Sequence, residues 1–456
     1  MKPLSAAALA LCAGVPMLAQ APALQVTSGS STIQLYGVLD VGVAHVAHSL
    51  DFDPYHPLGI NPTVAKPADK SVTGMYDGGI SQSRFGLKGS TDLGNDWKGV
   101  FTLEGAINLR SGSTANAAQG VAQNKSTGPY QSADSAVSGQ LFSRGAFAGI
   151  SNKTFGTLTF GRHTSLMLDT IGGYDALQAA QLFTPLGYSG TYGGGGATDN
   201  SRVDNSIKYK GKWSDFSAAY LHKFGGVADA SNAKSSDQFA LAYEPGAFGV
   251  TVAYQSYKDA FTVGNPAGTT AQPLGTVVLT AHDTKATMLA LRYKIGPVAL
   301  KGGYEQLKYT NPSNGTQDAL TTSAFGQVVS AVNVKPYTVT VAGVPTDMEK
   351  KLDVYWGGAA WDVTESFNIG VSYYHVKQND WSGGTTIEQA KNSGNAKYTS
   401  LLLDYRFTKS FDAYLGYMAV STDGGLGNTT PVVGTTGLGF LHDSNSTLGL
   451  GIRYAF

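Results

Sequence analysis

Residues 83–109, SRFGLKGSTDLGNDWKGVFTLEGAINL, hold the pattern that most limits what this chain can fold into. Phe85 and Leu87 alternate with Arg84, Gly86 and Lys88; a turn falls at Gly94 and Asn95; Trp97, Phe101, Leu103 and Ile107 then alternate with Lys98, Thr102, Glu104 and Asn108. A period of two puts successive side chains on opposite faces of a strand, where a helix would need a period of 3.6. The stretch predicts a hairpin with one apolar and one polar face.

The same unit recurs to the end of the chain. Residues 33–45 alternate Ile33, Leu35, Leu39, Val41 and Val43 against Gln34, Tyr36, Asp40 and Gly42. Further strand candidates cover residues 141–150, 157–161, 202–210, 216–224, 239–244, 250–257, 286–295, 298–309, 351–361, 367–378, 398–407, 411–420 and 447–456. Short connections such as GKWSD, PGAFG, DVTES and TKS join the members of each hairpin, with Pro or Gly often at the tight end. Long polar connections separate one hairpin from the next, notably at residues 46–79, 110–138 and 311–350. About sixteen strands with this asymmetry predict an all-β fold, a transmembrane antiparallel β-barrel with short periplasmic turns and long external loops.

Composition agrees with a wall facing lipid. Charged residues make up 14% of the 456, against roughly 25% in ordinary soluble domains. No run of about 18 apolar residues follows the N-terminal segment, so a helical span is not expected, and a closed barrel satisfies its backbone in lipid instead. Residues 1–23 carry Lys2, an apolar stretch and small residues up to Ala23, the layout of a secretory signal peptide. The remainder, 24–456, reads as one barrel domain. Cys12 is the only cysteine and lies in that leader, so no disulfide or Cys-ligated metal is expected in the mature chain. The formal charge of +0 gives no support to nucleic-acid binding.

One stretch breaks the pattern. Residues 160–202, FGRHTSLMLDTIGGYDALQAAQLFTPLGYSGTYGGGGATDNSR, lack strand alternation and contain a glycine run at Gly193–Gly196. Connections of that length inside a compact structure are usually functional or disordered. The expectation is a loop over about 163–201 that folds inward and narrows a pore.

The motifs STIQLYGVLD, SRFGLKGSTDLG, LFSRGAFAGISNKTFGTLTFGR, RVDNSIKYK and the closing GIRYAF resemble the general trimeric porins of Gram-negative bacteria, of the β-proteobacterial type. The resemblance implies a sixteen-stranded barrel in the outer membrane, a homotrimer and an inward-folded third external loop. It also implies basic residues on early strands facing acids on that loop. Carried over by motif, the basic positions are Arg84, Arg144 and Arg202, with Lys88 nearer the periplasmic turn; the acidic positions are Asp175 and Asp169. Alternation independently turns Arg84 inward, since it opposes Phe85 and Leu87, and a charge on the lipid face would cost roughly 2–4 kcal/mol near midplane. Asp169 has a second reading as the cap of a short helix through ALQAAQLF. Tyr36, Asp40 and Glu104 fall on lumen faces, Asp40 needing water or a partner there. Strict alternation turns Arg162 outward, so its strand requires a bulge or ends beyond the lipid. Three arginines against two loop acids imply a slight anion preference. Trp97, Trp213, Trp356 and Trp361 read as interfacial girdle residues.

The final strand places Leu448, Leu450, Ile452, Tyr454 and Phe456 on one face. Tyr454 and the terminal Phe456 are the expected signal to the barrel assembly machinery. The implied function is passive diffusion of ions and small hydrophilic solutes, in contact with outer-membrane lipid and without cofactor or metal. A substrate-selective channel, or a barrel with an adhesin or hydrolase role, is the alternative. Against an enzyme, no G-x-S-x-G elbow and no H-E-x-x-H zinc motif occurs, and the glycine run lacks the Lys-Ser/Thr of a phosphate loop.

Overall fold

A computed structural model describes residues 24–48, 70–114, 141–186, 201–264, 278–314, 323–324, 327–328, 331–333, 335, 337–381, 393–424, 426 and 444–456. The leader, the glycine run and much of the long connections lie outside the described residues.

Sixteen strands form one antiparallel circuit. They are β1 Ser31–Val46, β2 Arg84–Gly94, β3 Trp97–Asn108, β4 Gly145–Asn152, β5 Gly156–Thr164, β6 Arg202–Trp213, β7 Phe216–Lys223 and β8 Ser236–Tyr243. The second half comprises β9 Phe248–Gly264, β10 Val278–Ile295, β11 Val298–Thr310, β12 Lys350–Asp362, β13 Phe367–Gln378, β14 Gly394–Arg406, β15 Phe411–Gly424 and β16 Ser444–Ala455. Each pairs with its sequence neighbour, and β16 closes on β1 from Val38↔Ala455 to Val46↔Thr447. Closure removes the unpaired edges that lipid cannot hydrate.

The alternation seen in sequence becomes an inside and an outside. On β16 Leu448, Leu450, Ile452 and Tyr454 are exposed, while Arg453 and Ala455 are buried inside. The same holds for Leu289, Leu291, Tyr293 and Ile295 on β10. Apolar residues covering the exterior of a closed wall match a lipid-facing band, where a soluble monomer would keep such patches small. No helix among the described residues is long and apolar enough to cross a membrane.

Several boundaries differ from the expectation. Strand β10 begins at Val278 and β9 runs to Gly264, so that pair rises well beyond the alternating core. The connection at 46–79 contains a strand, Val72–Asp77, which pairs with the upper half of β1. The connection at 311–350 contains a hairpin, Thr338–Val341 with Val344–Asp347. These elements are short: Val72–Asp77 is held by its pairing with β1 and by the buried Tyr76, and Thr338–Val341 by a local hairpin with Val339 buried. The bulge required near Arg162 is present: the β5–β6 register shifts between Gly161 and His163.

Residues 165–186 pack across the inner face of the second half of the wall. Along one cross-strand row the inner positions are Ala360, Gly370, Leu402, Gly416, Gly449 and Ala44 on β12 to β16 and β1. Five of the six, all but Leu402, have no side chain beyond Cβ, so backbone and rings approach the wall closely there. A Cβ on Gly416 would lie 2.5 Å from Phe183 ring atoms, and one on Gly449 would lie 3.0 Å from Leu182.

Candidate functional site

On the wall formed by β1 to β4, Tyr36, Gly86, Glu104 and Gly145 are direct cross-strand partners on the inner face. The absence of a Cβ at Gly86 lets the Tyr36 ring cross it; a Cβ there would lie 2.7 Å from that ring. Tyr36 thereby donates its hydroxyl to Glu104 Oε2 at 3.0 Å. Arg144 Nε donates to Glu104 Oε1 at 2.6 Å, and Arg84 Nε lies 3.6 Å from Oε2. Arg144 also donates to the Gln82 side chain, and Arg84 Nη1 to the Gln82 carbonyl at 3.0 Å. Two arginines thus share one carboxylate, leaving the group with one net positive charge. Lys88 lies over the Tyr36 ring at 5.2 Å. Arg202 is buried at the start of β6, with Nη1 donating to the Ser201 carbonyl at 3.2 Å.

The segment after β5 starts with α1, Leu166–Ile171. Its cap is Ser165, whose hydroxyl accepts from Leu168 N at 3.2 Å. This corrects the expected helix through ALQAAQLF with Asp169 as cap: residues 176–183 form turns, and Asp169 lies within the first turn of α1. There it meets Lys208 Nζ at 2.6 Å, Lys210 Nζ, and the Thr164 hydroxyl at 2.5 Å. Burial opposes the charged form of Asp169, but the two ammonium groups outweigh it and hold the carboxyl below its ordinary range. The ion pair fastens the root of the segment to β6.

Farther along, Leu166 N donates to Gln238 Oε1 at 2.8 Å, Tyr174 donates to Glu244 at 3.0 Å and Trp356 Nε1 donates to the Tyr174 carbonyl at 3.0 Å. Trp356 is 5% exposed, which corrects its reading as a girdle residue; its neighbour Tyr355 faces out instead. Trp213 and Trp361 are exposed on the exterior near strand ends. Asp175 is 0% exposed. It accepts from Ala179 N at 2.8 Å and from the Tyr374 hydroxyl at 2.8 Å, while its carbonyl accepts from Lys301 Nζ at 3.1 Å. Burial raises its carboxyl above the ordinary range, against those hydrogen bonds.

Asp40, which needs water or a partner on its lumen face, is fully buried and has partners. Residues 78–83 fold over it: Gly79 N, Ile80 N and Ser81 N donate to its carboxylate at 3.1, 3.0 and 2.8 Å, and Tyr414 donates at 2.5 Å. The Gly79 carbonyl in turn accepts from Leu182 N at 2.8 Å, so this segment joins residues 165–186 inside the barrel. Arg453 lies on the same level, ion-paired with Asp412 at 2.9 Å.

The structure therefore brings Arg84, Arg144, Glu104, Tyr36 and Lys88 together on one wall, and puts Asp169 and Asp175 into separate anchoring contacts elsewhere. Sequence reasoning missed Lys208, Lys210, Lys301 and Arg453. Lys208, Lys301 and Arg453 alternate with exposed or half-exposed outward residues and Lys210 shares the parity of Lys208, so strand parity carried the signal. It missed the inward aim of Trp356 because Tyr355 and Trp356 are both aromatic and parity could not be assigned by polarity.

The sequence matches the Gram-negative porin family over residues 5–425. It is 25% identical to an outer membrane porin protein of Bordetella pertussis over 382 residues, 83% of this chain and 77% of that one. It is 26% identical to outer membrane porin protein 32 of Delftia acidovorans over 287 residues, 62% of this chain and 66% of that one. The fold is similar to that of an anion-selective porin from Comamonas acidovorans, with a TM-score of 0.61 and 20% identity over 93% of this chain and all of that one. The sixteen-stranded closed wall, its apolar exterior and these matches lead to one assignment: the chain belongs to the Gram-negative porins, outer-membrane β-barrel channels for small solutes and ions rather than enzymes.

Proposed function

We propose that this porin is a passive diffusion channel with a slight preference for anions, set by arginines on the wall of β1 to β4. The observation that carries the reading is the group Arg84–Glu104–Arg144, in which one carboxylate serves two guanidinium groups. In a water-filled constriction with low-dielectric walls, that surplus concentrates anions. Arg202 and Lys88 add to it, and Tyr36 fixes the orientation of Glu104. Asp169 and Asp175 act as anchors of the loop more than as its charge, because each is consumed by partners. The description of the Comamonas relative as anion-selective supports the same direction.

Residues 163–186, the described part of the expected loop over 163–201, are in this reading the third external loop, folded into the lumen to narrow it, residues 187–200 lying outside the described residues; the packing of residues 165–186 against the inner row of small residues supports this. The working unit is a homotrimer, residues 1–23 are an export leader, and Tyr454 with Phe456 addresses the assembly machinery. Purified protein in a planar bilayer tests the channel reading: it predicts ohmic steps whose conductance rises in proportion to salt. Saturation with a single solute class, or no steps at all, would overturn passive general diffusion.

A further inference from the structure

On the outer face of β10, β11 and β12, Lys285, Lys308 and Lys351 are direct cross-strand partners in one row. Each shares its strand's outward face with exposed apolar residues, namely Leu289, Leu300 and Tyr355. Like charges placed directly opposite one another destabilise a sheet. Lys377 adds a fourth, opposite Asp353 and over the Tyr355 ring at 5.7 Å. The acids present are Glu349, 3.4 Å from Lys308, and Asp353, 3.9 Å from Lys351. Lys258 and Asp283 nearby neutralise each other at 3.4 Å. Lys285 is exposed and makes no hydrogen bond or ion pair among the described residues. Four lysines against two acids leave the patch positive.

Its height identifies the partner. Lys285, Lys308 and Lys351 each lie ten residues from Ile295, Val298 and Trp361, the residues at the short-turn end of their strands. Ten residues extend roughly 33 Å along a strand, and a tilt of about 35–45° makes that roughly 25 Å of height, the height of a barrel's apolar band. The Tyr304 and Tyr355 rings, 5.0 Å apart, lie below the row as girdle aromatics do. The lysines therefore stand at the level of the lipid head groups, on the end of the barrel that carries the long connections and so faces outward from the cell.

We propose that the row Lys285–Lys308–Lys351, with Lys377 beside it, binds the phosphate groups of outer-leaflet lipid. Lipid phosphates relieve the repulsion within the row, and the tyrosines below contact the sugar and acyl boundary. The inference rests on the chain being an outer-membrane barrel of this orientation.

Native mass spectrometry of the detergent-purified full chain, titrated with diphosphoryl lipid A, tests it. Wild-type protein is expected to retain the lipid, and the variant Lys285→Gln/Lys308→Gln/Lys351→Gln to bind it roughly tenfold more weakly or worse. The corresponding triple Lys→Arg variant retains binding, which separates lost charge from a damaged fold, and wild-type levels of barrel resistance to SDS verify the fold of each variant. Lys98→Gln/Lys212→Gln/Lys409→Gln, at the short-turn end, leaves binding unchanged. Equal binding by wild type and the first variant, equal loss in the short-turn variant, retention of the lipid after its phosphates are removed, or displacement by millimolar inorganic phosphate would each overturn the proposal. If pores still form in a bilayer, such a result removes the lipid site alone; if none form, the channel reading fails independently.

Discussion

Gly416→Ala places one methyl group where the loop meets the wall. The added Cβ would lie 2.5 Å from Cε1 and Cζ of Phe183 and 2.6 Å from Cε2, whereas ordinary contact begins at 3.4 Å. Phe183 is fully buried, packed edge-on to Tyr414 at 6.2 Å, and its neighbour Leu182 rests on Gly449. Relief requires the ring to retreat by about 1 Å within close-packed surroundings. Overpacking of this kind costs roughly 1–3 kcal/mol. That is too little to open a sixteen-stranded closed sheet, so it falls on the seating of residues 165–186, whose unseated population rises roughly 5- to 150-fold. Single-channel recording is expected to show new or more frequent conductance substates while the barrel keeps its resistance to SDS. Adding Phe183→Leu removes the ring and returns the record toward wild type. A Gly416→Ala trace indistinguishable from wild type, or a double variant noisier than the single one, would refute the seating argument.

Further outcomes follow from the same contacts. Glu104→Gln keeps an acceptor for Tyr36 but removes the charge shared by Arg84 and Arg144. A unit charge about 8 Å from the ion path in water changes each ion's energy by roughly 0.5 kcal/mol, with opposite sign for anion and cation. The anion-to-cation permeability ratio should therefore rise roughly fivefold at low salt and less at high salt, and a fall would contradict the wall assignment. Asp169→Asn leaves Lys208, nearly buried, beside a neutral partner; breaking a buried pair costs about 3–5 kcal/mol, read as a lower unfolding temperature or freer loop substates. The pH dependence of Asp169 is ordinary in sign: its carboxyl is lowered, so its contribution is present above the usual carboxylate range and lost in stronger acid. Asp175 has the opposite sign. Its carboxyl is raised, so its contribution is full below the ordinary value and is lost as pH climbs through the raised one. Loop substates should become rarer on acidification toward that range, and Asp175→Asn should flatten the response; an unchanged response in the variant would remove Asp175 as its source.

The barrel was legible because its signal is repeated. Each strand needs only period-two alternation and a turn, and residues such as Leu448, Leu450 and Ile452 follow that rule without knowledge of their partners. The inward aim of Arg84 and Glu104 came from the same parity. What was not legible depends on contacts between distant segments. Asp40 reads as a wall residue that needs water or a partner, and only the fold names residues 78–83 as that partner. Asp175 and Tyr374 meet across 199 positions of sequence. The row through Gly370, Gly416 and Gly449 looks in sequence like scattered glycines, and only the register of four strands aligns it beneath the loop. Ser165 capped α1 where Asp169 was expected to cap a different segment, because the loop's helix forms at its root, against Gln238, and not at the alanine-rich stretch.

The reversal potential of the purified porin in a tenfold KCl gradient reads the sign of the field that the wall arginines set. Arginine control of the constriction gives a potential on the anion side, and a shift toward the cation side when Arg84, Arg144 and Arg202 are replaced together by glutamine. A cation-side potential in the wild type, or an unmoved potential in the triple variant with pores intact, would contradict it.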